Sequence, residues 1–340
     1  MAPMMTLIPV QRYVGKPSER GVALLIVLLL MTVLSSVALA VTDDIRFAAR
    51  RTANIRINTQ MQWYALGSEV LARQILWRSW KTNPHRSTLN DPWAAEGVEF
   101  AIDGGAITGQ IHDGGNCFNL NSVVDRGPTG LYVARKAGQQ EFQALLTALE
   151  IDRDQAIALS ATLTDWIDSD STASGRGAED YVYSGRKTPY RTGGTLLAEV
   201  SELRAIAGFS AEVYGRVRPF VCALPTTDIS RINVNTLREF QAPLVVMLAG
   251  SGVRVAEVER AILDRPVGGY ARIEDFLAHD VFTGIDIAQD TRAQFVLRTE
   301  YYVMESEVVS HDARFTLSSL LHVNSGGEVT VHARRYGVFD

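Results

Sequence analysis

Apolar and polar positions divide this chain into three regimes. From Val22 to Val41, twenty residues run without an ionisable side chain, long enough to cross a hydrocarbon core of about 30 Å as a helix. Apolar residues then continue at helical spacing through Ile55, Ile57, Met61, Tyr64, Leu66, Val70, Ile75 and Trp77, with no Pro and only Gly67 to interrupt them. The pattern predicts one helix over 22–82, half in lipid and half packed on a soluble domain; Pro84 and Asn90-Asp91-Pro92 end it. Within 93–124, Val98, Phe100 and Ile102 alternate, Asp103-Gly104-Gly105 turns the chain, and Ile107, Gly109 and Ile111 return as a hairpin. Over 125–297 the period becomes helical, with segments at Glu141–Leu149, Asp154–Ile167, Leu196–Ile206, Pro243–Leu248, Val255–Leu263 and Ile273–Leu277. Strands resume in 298–340 as Tyr301–Val309, Phe315–Val323 and Val329–Ala333, with a turn at Asn324-Ser325-Gly326-Gly327. The expected class is α+β, an antiparallel sheet interrupted by a domain-sized, all-α insertion.

The polar leader 1–21 leaves three ways of processing the apolar run. A secretory signal would use Arg12, Lys16 and Arg20 as its basic region and be cut after Ala38-Leu39-Ala40, which makes a long pre-segment. An uncut anchor would be oriented by the same basic residues, with Asp43-Asp44 emerging on the far side. A cut between Gly21 and Val22 would place the smallest side chain at the scissile bond and spare the span.

Charge and motifs remove several function classes. The formal net charge is −5; the leader holds Arg12, Lys16 and Arg20 against Glu19, so the remainder is more acidic still. That balance disfavours phosphate contacts, and no nucleic-acid partner is expected. Six His are scattered without metalloprotease spacing, and neither a nucleophile elbow nor a phosphate-cradling loop occurs, so no catalytic constellation is present. The two cysteines, Cys117 and Cys222, read either as one disulfide of an exported domain or as two separate buried thiols. Arg46, Arg50, Arg51 and Arg56 read as a solvated helix face or as contacts to lipid headgroups and acidic partners. Trp63, Tyr64, Trp77 and Trp80 are expected to pack the long helix on the sheet.

The basic leader ending in ERG, the run VALLIVLLL, and then CFNLNSV, TDWIDSDSTASGRGAEDYVY, SELRAIAGF and SRINVNT, in this order over nearly the whole chain, resemble the type II secretion system minor pseudopilin K family. The resemblance implies a type IV pilin-like fold with a large helical insertion, and a noncatalytic subunit at the tip of a filament that drives protein export. It implies minor pseudopilins I and J as partners and prepilin peptidase acting at Gly21 and Val22, with methylation of the new amine. The expected location is the bacterial inner membrane, crossed once and in contact with its lipid, with the soluble part in the periplasm. Most pilin-like proteins carry Glu as the fifth residue after the cut, where it neutralises the amine of the neighbour above. Here that position is Ile26, which fits a subunit with nothing above it or, equally, one more lipid-facing residue.

Two further stretches carry candidate chemistry. Counting Asp168 as position 1 of a calcium loop puts Asp170 at 3, Thr172 at 5 and Glu179 at 12, although position 6 is Ala173 instead of Gly. A solvated acidic loop at a helix end is the plainer reading. The family resemblance implies calcium, held structurally by Asp168, Asp170, Glu179 and Asp180, with Glu202 of SELR as a further ligand. In INVNTLREFQAPLVVMLAGSGVRVAEVERAILDRPVGGYARIEDF, Asn235-Thr236 is placed to cap a helix and Gly250-Ser251-Gly252 to turn one helix into the next. This helix-hairpin-helix-like unit makes membrane-anchored DNA binding or uptake the alternative function. Between Arg231 and Asp275, however, six Arg face six acids, and the motif also serves as a packing unit without nucleic acid.

Overall fold

The computed structural model describes residues 19–250, 252–310 and 313–337, so most of the leader and Ser251 lie outside the described residues. Helix α1 spans Glu19–Thr82, a stretch with no Pro to interrupt its hydrogen bonds. The chain divides into two compact units between Gln60 and Met61. In the first unit the residues from Gly21 to Arg56 are exposed along the helix, including Val22 and Ile26, and Ile57 is half-buried. In the second unit α1 buries Met61, Ala65, Glu69, Ala72 and Leu76. Their spacing of four, four, three and four residues is one helical stripe.

Five antiparallel strands form the main sheet: β1 (Val98–Ile102), β2 (Gly105–Asp113), β9 (Tyr301–Ser310), β10 (Ala313–Val323) and β11 (Val329–Tyr336), in the order β1-β2-β9-β10-β11. Alternation sets its faces: Tyr302, Met304, Ser306 and Val308 on β9, and Leu317, Ser319, Leu321 and Val323 on β10, are buried. Glu69 of α1 is fixed on this sheet by two bonds from Arg334, of 2.6 and 2.8 Å, and one from Ser319 Oγ of 2.7 Å. Gly327 turns β10 into β11 at φ +81°, and a Cβ there would lie 2.2 Å from the Trp80 ring, so only Gly fits. Trp80 thus packs as expected, but Trp63 and Trp77 do not: they are exposed, on the helix face opposite the buried stripe.

Between β2 and β9 lie β3 (Phe118–Asn119), β4 (Val124–Arg126), β5 (Tyr132–Ala134), α2 (Lys136–Ala148), α3 (Arg153–Ile167), α4 (Asp180–Ser184), α5 (Ala211–Val217), β6 (Val221–Cys222), β7 (Ile232–Asn233), α6 (Ala242–Ala249), α7 (Val255–Leu263), α8 (Ile273–Leu277), α9 (Gln289–Arg292) and β8 (Phe295–Val296). The insertion is therefore not all-α. Small ladders β3-β6, β4-β5 and β7-β8 are two or three residues long, too short to impose a two-residue period on the sequence. Leu196–Ile206 is not an α-helix either. Only a 3-10 segment, Val200–Ala205, forms there, opened by the Glu202 carboxylate accepting from the Ala198 and Glu199 amides.

The insertion is an internal repeat. Phe118-Asn119-Leu120-Asn121-Ser122 and Ile232-Asn233-Val234-Asn235-Thr236 open the two copies, and parallel pairs Phe118↔Val221 and Ile232↔Phe295 close them. In each copy the second Asn brackets one backbone unit with both ends of its amide: Asn121 bonds N–H and C=O of Leu197 at 2.8 and 2.9 Å, and Asn235 those of Tyr270 at 2.6 and 3.0 Å. Leu203 and Phe276, six residues past each bracketed residue, are fully buried, and Phe209 and Phe282 follow them inside. One continuous core joins both copies. Asn235 and Thr236 accordingly do not cap a helix: Asn235 is spent on Tyr270, and Thr236 Oγ1 donates to Asp113.

Candidate metal centre in the acidic loop

Helix α3 delivers the acidic loop. Its start is capped by Asp152, which accepts from the amides of Asp154 and Gln155, and Leu159, Leu163 and Ile167 bury one face. Asp165 and Asp168 stand three residues apart on the last turn, so they project to the same side. The chain then folds back: Ser174 N donates to both Asp165 carboxylate oxygens at 3.1 Å, and Ser169 exchanges bonds with Tyr132 of β5 at 2.9 and 3.0 Å. A Cβ on Gly177 would lie 1.8 Å from Asp165 Oδ2, so this glycine is what lets the backbone pass the carboxylate. Beyond the loop, Trp166, Tyr183 and Tyr190 pack ring to ring, with the Arg186 guanidinium over both tyrosines.

Three carboxylates converge here: one ligand oxygen each of Asp168, Asp170 and Glu179 lies within 4.8 Å of the others. Asp168 and Glu179 are buried, and Asp168 Oδ1 and Glu179 Oε1 accept no hydrogen bond. Burial pushes Asp168 up to about 7, reinforced by the charges of Asp170, Asp165 and Glu179. Glu179 is raised for the same reasons, burial first and then Asp165 and Asp170. Asp165 is also raised by burial, partly offset by its bonds from Ser174. Neighbouring cations do not relieve the crowding, because Arg176 pairs with Asp154 at 3.2 Å and Arg191 lies 3.8 Å from Asp180. Buried oxygens without donors, held close by a folded loop, are the donor set that a hard divalent cation takes.

The remaining expected ligands are placed elsewhere. Asp180 Oδ1 accepts from the amide and hydroxyl of Thr192 at 2.9 and 3.0 Å, which holds its carboxyl below the usual range. Glu202 is occupied by the two amides of its own 3-10 turn. Thr172 enters only through its backbone N–H, which donates to Asp170 Oδ1. Asp165, absent from the expected set, sits against the cluster; the three-residue step in Thr164-Asp165-Trp166-Ile167-Asp168 was the signal for it.

Cys117 and Cys222 form a disulfide with Cα atoms 5.8 Å apart, locking the β3-β6 ladder of the first copy. In the second copy, Gly250 turns α6 toward α7 at φ +90°. The arginines about that turn are engaged: Arg254 with Glu257, Arg272 with Asp275, Arg238 with Glu96 and Arg265 with the carbonyl of Leu237. This is packing and surface pairing, not a phosphate cradle.

Protein-family models described as "Type II secretion system (T2SS), protein K" match residues 116–226 and 232–298, the two copies of the repeat. Type II secretion system protein K of Pectobacterium carotovorum subsp. carotovorum is 36% identical, covering 94% of this chain and 97% of its own. That of Klebsiella pneumoniae is 35% identical with the same coverages of 94% and 97%. Among solved structures, a chain of the GspK-GspI-GspJ complex from the type 2 secretion system of enterotoxigenic Escherichia coli superimposes with a TM-score of 0.74 at 28% identity. The match covers 85% of this chain and 100% of that one. The helix-hairpin-helix-like segment falls inside the second protein K match, and DNA binding gains no support. With relatives of this identity over nearly its full length, the chain belongs to the protein K family, the minor pseudopilins of the type II secretion system.

Proposed function

We propose that this chain is the tip subunit of the pseudopilus, initiating or capping a filament that moves proteins across the outer membrane. The observation that carries this reading is its likeness, over 85% of its length, to a chain from a GspK-GspI-GspJ complex; minor pseudopilins I and J are the corresponding partners here. In this reading the long helix and sheet form a pilin-like body, and the repeat is the bulky cap. Helix α1 offers partner helices an exposed stripe of Trp63, Val70 and Trp77 at seven-residue spacing. Ile26, in place of a Glu, leaves this subunit unable to neutralise the amine of a neighbour above it, which suits the last position. Its apolar run, long enough to cross a membrane, anchors it once in the inner membrane, with Arg12, Lys16 and Arg20 on the cytoplasmic side and the body in the periplasm. Prepilin peptidase removes 1–21 and methylates Val22.

Calcium occupies the acidic loop through Asp168, Asp170 and Glu179, with Asp165 bracing the turn. It supplies the positive charge these buried oxygens lack and fixes a loop poor in apolar residues. Mass spectrometry of membrane-extracted protein, copurified with I and J, tests the whole scheme: the expected chain starts at methylated Val22 and carries both partners. A start at Val41 or an intact Met1 removes the filament mechanism.

A further inference from the structure

The outer face of the main sheet carries a histidine pair that the secretory role does not explain. On β10, His322 pairs through its Cα with Thr330 of β11, and the register shifts between Leu320 and Leu321 so that His332 is left as the unpaired residue of a bulge. A bulge re-aims the side chain it frees. Here the His332 ring meets that of His322 edge to face, with centroids 5.3 Å apart and planes at 85°. Tyr301 of β9 lies 4.6 Å from the His322 ring and 6.0 Å from that of His332, so three strands contribute to one cluster.

The ring nitrogens of this pair make no hydrogen bond or ion pair among the described residues, in contrast to His279, which engages Asp264 and the Val281 amide. His322 is half-buried and His332 exposed. An imidazole whose ring nitrogens are not engaged by a protein partner can offer a lone pair to a metal ion. Glu300, the carboxylate whose charge acts on His322, is paired with Arg231 at 2.8 Å.

We propose that His322 and His332 together bind a first-row transition-metal ion of the zinc, nickel or copper class, with Tyr301 fixing the His322 ring. Imidazole nitrogen favours these ions over calcium, which prefers the oxygen-lined loop at Asp168. Two protein ligands leave the other positions to water or to a side chain of a docked protein. The ion ties edge strand β11 to β10 across the bulge.

Full-length protein in detergent, in excess calcium so that oxygen sites are filled, is titrated with zinc chloride by calorimetry, and its melting temperature is read with and without zinc. One zinc per chain and a zinc-dependent rise in melting temperature are expected for the wild type, and both are lost in His322→Gln and in His332→Gln. Because His332 is exposed, H332Q decides the matter even if H322Q fails to fold. Zinc binding unchanged in H332Q, or no zinc binding by the wild type, overturns the proposal.

Discussion

The two copies of the repeat, 116–226 and 232–298, share an opening N-x-N strand, a helical pair, an Asn bracket, a buried Leu203 or Phe276, and a parallel closing strand. They differ in two additions. The first copy carries a disulfide across its closing ladder, where the second has an exposed Arg231–Glu300 ion pair nearby. It also carries the long acidic loop between α3 and Leu197, where the second passes from α7 to Tyr270 through the short Pro266-Val267-Gly268-Gly269 turn. The second copy therefore repeats the core plan without a cysteine pair and, among the described residues, without a carboxylate cluster. The disulfide, and the calcium proposed for the acidic loop, belong to what the first copy adds, and the shared apolar core and brackets hold the rest.

The largest expected effect breaks the first copy alone. The disulfide joins residues 105 apart, so Cys117→Ala with Cys222→Ala is expected to cost about 4–5 kcal/mol by the chain-entropy account. Removing the second copy's ion pair, Arg231→Ala with Glu300→Ala, should cost at most about 1 kcal/mol because both side chains are solvated. Urea unfolding of the two double variants measures the difference, and equal losses would contradict the asymmetry.

The brackets test the symmetry. Asn121 and Asn235 are both buried, and truncating either strands a backbone N–H and C=O, a loss of about 2–3 kcal/mol each. Asn121 also bonds the Leu224 carbonyl at 2.8 Å, which tilts the larger loss toward the first copy. If Asn235→Ala is silent in thermal melts while Asn121→Ala is not, the brackets do different work and the repeat is only a likeness of shape.

Much of this plan was legible in the sequence, and the remainder was hidden for physical reasons. The long helix and the main strands follow from sustained apolar periods, and β1 begins and ends where the alternation of Val98, Phe100 and Ile102 puts it. The repeat was written in FNLNS and INVNT, but two-residue strands and Asn brackets leave no periodicity. LLAEVSELRAI reads as a helix because its propensities are helical, yet the Glu202 carboxylate takes two backbone amides and leaves only a 3-10 turn. In the acidic loop, Asp168, Asp170 and Glu179 were legible from spacing. Asp165 is missed by a count that starts at Asp168 and looks only forward, although its place three residues earlier on the same helix side was the signal for it. The exposure of Trp63 and Trp77 depends on which helix face meets the sheet, which the stripe from Met61 to Leu76 decides.

Chelation sharpens the contrast at lower cost. If calcium serves only the added loop, removing it should loosen amide protection over 168–195, through the Trp166, Tyr183 and Tyr190 cluster, and leave α6 and α7 protected. Hydrogen exchange with and without chelator reads this directly. Loss of protection in α6 and α7 as well would mean that the metal supports the shared core.

The smallest effect lies where both copies meet the sheet. At the end of β2 the half-buried Asp113 carboxylate accepts from Gly115 N and Asn116 N at the start of the first copy, and from Thr236 Oγ1 and Thr299 Oγ1 at either end of the second. Burial raises its pKa, and these four bonds only partly offset the rise. A carboxyl whose folded pKa is raised binds its proton more tightly when folded, so its contribution to stability is full below its ordinary value and is lost as pH climbs through the folded one. Stability should therefore fall with rising pH across that interval and then level off. Asp113→Asn, which cannot titrate, should flatten this component of the slope in denaturant melts taken from acid to neutral pH. An unchanged slope in D113N would mean that the joint between the copies carries no charge-dependent strain, and that the two copies meet the sheet through packing and neutral hydrogen bonds alone.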